Sequence, residues 1–256
     1  QSPDSMRPWL VACNQAGVSG ASHYGFGTLW MRYDRRGDFS RTFTRLAEAA
    51  GCEQFFTWDA VRRGASQRLA ARLVEHFFET KGISFHCLVV EKSIVDLARH
   101  RDDLDLAQRK HFTMLLANKI KATIKKRGPE QEFRVWVSPI PSRYAKAAEA
   151  IEVISGNIIA ECSGCHPRLS VNVRSSVQTP AIQLCDVLLG AVINAWNDDA
   201  SNQEKRTIEQ QIAGCLGWPD LRADTSPKQK KFNIWKFHDP VRQPVRGATT
   251  RPTRID

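Results

Sequence analysis

Residues 181–196 read AIQLCDVLLGAVINAW, sixteen positions with a single charge, Asp186. The run follows Pro180 and is too long for a strand, so it reads as a helix that is apolar nearly all round and therefore buried. A carboxylate carried into such a helix costs on the order of several kcal/mol unless a cation or hydrogen bonds compensate it. Asp186 is thus the most informative residue of the chain. The bland reading is a structural acceptor at a cleft; the reading preferred here is a functional acid, with Gln183 and Gly190 as its neighbours on the helix.

Working outward, PWLVACNQ (8–15) is a short apolar run bounded by turn residues, as a buried strand should be, and YGFGTLWMRY (24–33) is a second strand. Helices are expected over 40–50 and 66–80, the latter from the stripe Leu69, Leu73, Phe77. ISFHCLVVE (83–91) is a β-branched strand and 105–126 a long amphipathic helix ended by Gly128 and Pro129. A strand over 133–137, a helix over 142–154, a short strand over 169–173 and a last helix over 202–216 complete the pattern. Strands first in succession and then alternating with helices predict an α/β fold, a mixed sheet covered by helices. Residues 8–218 are expected to form the domain. Residues 219–256 are expected to be a basic, partly mobile tail that docks back through 232–237.

A chain of 256 residues, 42% hydrophobic and 25% charged, can bury a full core, and no apolar run is long enough for a membrane span. The seven cysteines follow no disulfide-scaffold spacing and no export signal is visible, so reduced thiols and a cytoplasmic location are expected. The net charge of +10 points toward polyanions, but eight bases against two acids from Lys228 onward account for +6 of it. CSGCH (162–166) has the spacing of a c-type haem attachment, yet a non-exported chain gives no route to haem. Cys162, Cys165 and His166 offer at most three zinc ligands, so an unliganded loop is expected. His100, beside Arg101, Asp102 and Asp103, is read in a capping and solvated role at the start of the long helix. The bases Lys119, Lys121, Lys125, Lys126 and Arg127 are those a helix dipole favours at a carboxyl end. The tryptophans are read as core, except Trp235, whose flanking lysines suit single-strand contact.

IQLCDVLLGAV resembles the late Gln-Leu-Ala-Asp helix of the family called domain of unknown function 3800. Other stretches resemble that family in the same order: LVACNQAGVSG its first strand (Asp-Glu-Ser-Gly), FFTWDAVRRG its Lys-Trp-Ser segment, FHCLVVEKS its Val-Val-Asp-Lys strand end. VWVSPIPSR resembles its strand ending in Asp, and FNIWKF its carboxy-terminal close. The resemblance covers roughly Trp9 to Phe237. It implies a ribonuclease-H-like fold with extra helices, and, for intact members, two Mg²⁺ or Mn²⁺ ions held by converging carboxylates for nuclease chemistry.

The chain departs from that pattern where the chemistry would lie. Asn14 stands at the first-strand Asp position, Gln15 and Ala16 at the Glu and Ser, Ser138 at the central-strand Asp, and Thr57 at the Lys before Trp58. The positional equivalents of the catalytic set are therefore Asn14, Glu91, Ser138 and Asp186, with Glu91 and Asp186 the remaining metal ligands. Lys92, Arg143, Lys230, Lys231 and Lys236 are the expected nucleic-acid contacts. The expectation is a nucleic-acid-associated protein with a degenerate metal site and no cofactor, a binding or scaffolding subunit in a bacterial mobile-element or antiphage setting. The alternatives are an active Mg²⁺- or Mn²⁺-dependent nuclease, and a protein-interaction module that does not touch nucleic acid. DNA and RNA are not distinguished.

Overall fold

The computed structural model describes residues 7–52, 55–140, 142, 146–199, 201–238 and 250–255. Its centre is a six-stranded mixed sheet in the order β5-β4-β1-β2-β3-β7. The strands are β1 (Trp9–Ala16), β2 (His23–Arg32), β3 (Ser84–Glu91), β4 (Glu132–Val137), β5 (Arg168–Val173) and β7 (Phe232–Lys236). β2 runs antiparallel to both of its neighbours, whereas β1–β4, β4–β5 and β3–β7 are parallel pairs. A separate two-residue pair joins β6 (Asp224–Thr225) to β8 (Thr250–Arg251).

Strands that are apolar on both sides require cover on both faces. Leu10 and Ala12 of β1 join one core with α1 (Arg36–Ala50), α2 (Ala65–Glu79), α5 (Pro180–Asn197) and α6 (Gln203–Leu216). Val11 and Cys13, pointing the other way, join a second core with α3 (Leu104–Arg127) and α4 (Ala147–Ser163). The side-chain alternation along a strand thus assigns each residue to one of two hydrophobic layers.

α5 is the buried helix that its composition demands: every residue from Ala181 to Ala195 is buried except Asp186 and Asn194. It lies across β1 and β2, and Gly25 and Gly27 in β2 let it come close. A Cβ at Gly25 would stand 2.6 Å from Ile193 Cδ1, and one at Gly27 about 3.1 Å from Leu189 Cβ. That close approach brings Asp186 to the sheet.

The bounds of one helix differ from expectation. α4 runs over Ala147–Ser163 rather than 142–154, because the buried stripe Ile151, Ser155, Ile159 continues past Gly156 until Gly164, at φ 68°, ends it. Within 219–256, where docking is expected over 232–237, the chain supplies a strand of the main sheet. Phe232–Lys236 forms β7, and hydrogen bonds from Phe85 N to Lys231 O and from Phe237 N to Val89 O bracket its pairing with β3. Part of the tail, 239–249, lies outside the described residues. Among the described residues no helix is long and apolar enough to cross a membrane.

Candidate functional site

β1 and β4 are parallel, so both end at the same edge of the sheet, with Asn14 near the end of β1 and Ser138 just past β4. Asp186, on the second turn of α5, reaches the same point. Ser138 Oγ donates to Asn14 Oδ1 at 2.6 Å, and Asn14 Nδ2 donates to Asp186 Oδ1 at 2.7 Å. The other carboxylate oxygen, Oδ2, accepts from Trp58 N at 2.6 Å. The three positions that the resemblance singles out therefore meet, joined in one chain of hydrogen bonds.

The fourth does not. Asn14 pairs with Gly27 and Gly27 with Cys87, so Glu91 lies two strands away and four residues further along β3. This separation is roughly 10 Å across the sheet and roughly 13 Å along it. Glu91 instead accepts from Ser93 Oγ at 2.5 Å and faces Lys236 Nζ at 3.8 Å. The expected metal pair Asp186 and Glu91 is accordingly not a pair: strand register sets the two apart.

α5 also explains the segment 55–60. Gln183 Oε1 accepts from Phe56 N at 2.8 Å, while Gln183 Nε2 donates to Ser176 O and Val177 O. Gly190 lies under the Trp58 indole; a Cβ there would stand 2.2 Å from Trp58 Cγ. Gln183, Asp186 and Gly190, spaced i, i+3, i+7, present one helix face that grips this segment by two backbone N–H groups and one ring. Gln183 is thus a structural clamp, and the first duty of Asp186 is to satisfy the Trp58 N–H.

Burial pushes the Asp186 carboxyl up to about 6; the Trp58 N–H pulls it down, nearby Asp59 raises it, and Lys205 lowers it. Lys205 Nζ is 3.4 Å from Asp59 Oδ1 and 5.2 Å over the Trp58 ring. On the other side of Asn14 and Ser138 lies a narrow cleft lined by Cys13, Phe26, Asp105 and Arg109. A pair of divalent cations requires several anionic oxygens. Of the three converging side chains one is a carboxylate, both of its oxygens are engaged, and the other two are an amide and a hydroxyl. Among the described residues no group of three or more His, Cys, Asp or Glu side chains is placed to hold a metal. The donor set does not fit the two-metal centre.

Of the expected nucleic-acid contacts, Arg143 lies outside the described residues, and Lys230 is exposed. Lys231 turns inward, donating from Nζ to Thr80 O and Ile83 O, so its charge serves the fold. Lys236 sits near Glu91 and 5.3 Å over the Trp196 ring. Lys92 follows β3, its ammonium held below the usual range by burial. Trp235 is half-buried against the second core. Asp103, rather than His100, caps α3, accepting from Asp105 N. Cys162 ends α4 with Lys121 Nζ 3.8 Å from its sulfur, and its thiol, like that of Cys165, is free.

The sequence reading missed Phe56, Trp58 and Lys205 as the surroundings of Asp186. The i, i+3, i+7 spacing of Gln183, Asp186 and Gly190 carried that signal. No protein-family model matches the chain, and no curated protein matches it in sequence.

Proposed function

We propose that the protein is a nucleic-acid-associated binding or scaffolding subunit built on a ribonuclease-H-like sheet whose catalytic edge is closed by hydrogen bonds from uncharged side chains to a single carboxylate. The observation that carries this reading is the chain Ser138–Asn14–Asp186 at the ends of β1 and β4. The positions that would carry a metal-binding carboxylate set converge, which supports the fold-level reading. Two of the three bear uncharged side chains, which supports the absence of cleavage. The net charge of +10 supports a polyanionic partner.

The test is titration of labelled single- and double-stranded DNA and RNA at rising salt, with and without Mg²⁺ or Mn²⁺. The expected result is binding that weakens steeply with salt, without cleavage. Absence of binding at low salt, or metal-dependent cleavage abolished by Asp186→Ala, would overturn it.

A further inference from the structure

The edge of the sheet opposite to Asp186 carries a different chemistry. There β1 and β3 begin, at Trp9 and Ser84, and α3 ends at Arg127. An open groove runs between them. Its rim bears Lys81 from the turn after α2, Lys126 and Arg127 from the end of α3, and Lys228 and Lys230 from the segment before β7. Glu79 is the one acid that lines it among the described residues.

The helix dipole accounts for Lys126 and Arg127 on the last turn of α3. It does not account for Lys81 or for Lys228 and Lys230, which two other segments bring to the same place. Like charges gathered from three segments repel one another. All five rim cations are exposed.

The floor of the groove is built rather than merely charged. Lys119 and His86 line it from α3 and β3. Lys119 is largely buried; one of its N–H groups goes to Asn233 Oδ1 at 2.9 Å, and burial holds its ammonium down at about 8. His86 Nδ1 is shut off from solvent and has no hydrogen-bond partner among the described residues. Trp30 stands edge-on to the His86 ring at 6.4 Å. At the rim, Arg127 and Arg32 both lie over the Trp9 ring, 5.2 and 4.1 Å from its centroid, which holds the Arg127 guanidinium in place.

We propose that this groove holds the phosphate backbone of a nucleic-acid strand, so that the strand engages the sheet at the end remote from Asp186. The inference rests on the nucleic-acid reading above and places its contact surface. A recessed ammonium suits a phosphate oxygen, and a row of rim cations suits a backbone with one charge per repeat. Trp9 to Asn14 spans roughly 17 Å of strand, so a strand in the groove leaves the Asp186 edge untouched.

The experiment compares binding of a short oligothymidylate, at several salt concentrations, by the full chain and two charge-reversal variants. One is K126E/K228E/K230E in the groove. The other is R63E/R174E, two exposed arginines near the Asp186 edge. Thermal melting checks that both remain folded. The groove variant is expected to lose at least about tenfold in affinity, with the slope of log K against log salt shallower by about 2. R63E/R174E is expected to stay within about twofold of the unmodified chain. Binding that survives the groove variant, or is lost in R63E/R174E instead, overturns the placement while leaving the nucleic-acid reading intact. An unmodified chain that binds no oligonucleotide overturns both, as does displacement of the oligonucleotide by an equal charge concentration of polyglutamate.

Discussion

Asn14 donates its side-chain amide to Asp186 at 2.7 Å, tying the end of β1 to the second turn of α5 where a metal-bearing site would keep two carboxylates apart. Two carboxylates this close would repel unless a cation or proton lay between them. An amide against a carboxylate needs neither, so the contact is stable without a ligand.

Asp186→Asn is expected to raise stability at neutral pH. Burial pushes the Asp186 carboxyl up to about 6 in the folded chain, above its ordinary value of 3.8, and so opposes the charged form. Its favourable contribution is complete below about pH 4 and is lost as pH rises through 6. The replacement amide can still accept from Trp58 N, and Asn14 can turn over to face it. The advantage of the variant should be small near pH 4 and grow to about 1–3 kcal/mol above pH 7. Chemical denaturation across that range measures it.

Asp186→Ala is expected to destabilise, in contrast. It leaves the buried Trp58 N–H and the Asn14 amide without their acceptor, at about 1–3 kcal/mol for each group so stranded. Opposite signs for the Asn and Ala variants at pH 7, read from denaturation midpoints, distinguish hydrogen bonding from charge at this position.

Gly190→Ala places a methyl group within 2.2 Å of Trp58 Cγ. The ring must move, and overpacking at this site is expected to cost about 1–3 kcal/mol. The segment 55–60 should become more sensitive to limited proteolysis, and the near-ultraviolet circular dichroism from Trp58 should weaken.

Restoring carboxylates with N14D/S138D puts three acids where one is now hydrogen-bonded. Without divalent cations the melting temperature should fall by several degrees, and millimolar Mn²⁺ should recover most of the loss through binding to the folded state. A variant unaffected by Mn²⁺ would show that the edge is not shaped for a metal even when charged.

Oligonucleotide affinity should weaken as pH rises through about 8, where Lys119 loses its proton. Around it are His86, held neutral by burial, Cys87 on the other face of β3, whose thiol burial keeps protonated, and Asn233, with Lys231 and Arg127 lining the same groove. Burial brings Lys231 down to about 8 as well, so Lys119→Arg should remove the Lys119 part of the pH dependence and leave the Lys231 part.

The strands and most helices were legible because each is a local pattern. The unbroken apolar runs of β1 and β3 and the stripe of α2 belong to short windows. The end of α4 was not, since Gly156 reads as a stop, yet it faces open space and costs little. Glu91 was misplaced because its relation to Asn14 depends on the register of β1, β2 and β3, which no single segment states. Lys231 looked like a surface base and proved to be a fastening for the Thr80–Ile83 turn. The basic groove is further still from local pattern, being assembled from the ends of three segments far apart in sequence.

The neutral wiring of the β1–α5 edge is tested most directly by nuclear magnetic resonance of the Asn14 side-chain amide, followed against pH with and without millimolar Mg²⁺. The account predicts that both Nδ2 proton resonances shift with a midpoint near 6, reporting Asp186, and that Mg²⁺ leaves the curve unchanged. A midpoint driven well downward by Mg²⁺, with the amide signals displaced, would mean that a cation occupies the carboxylate, and would contradict it.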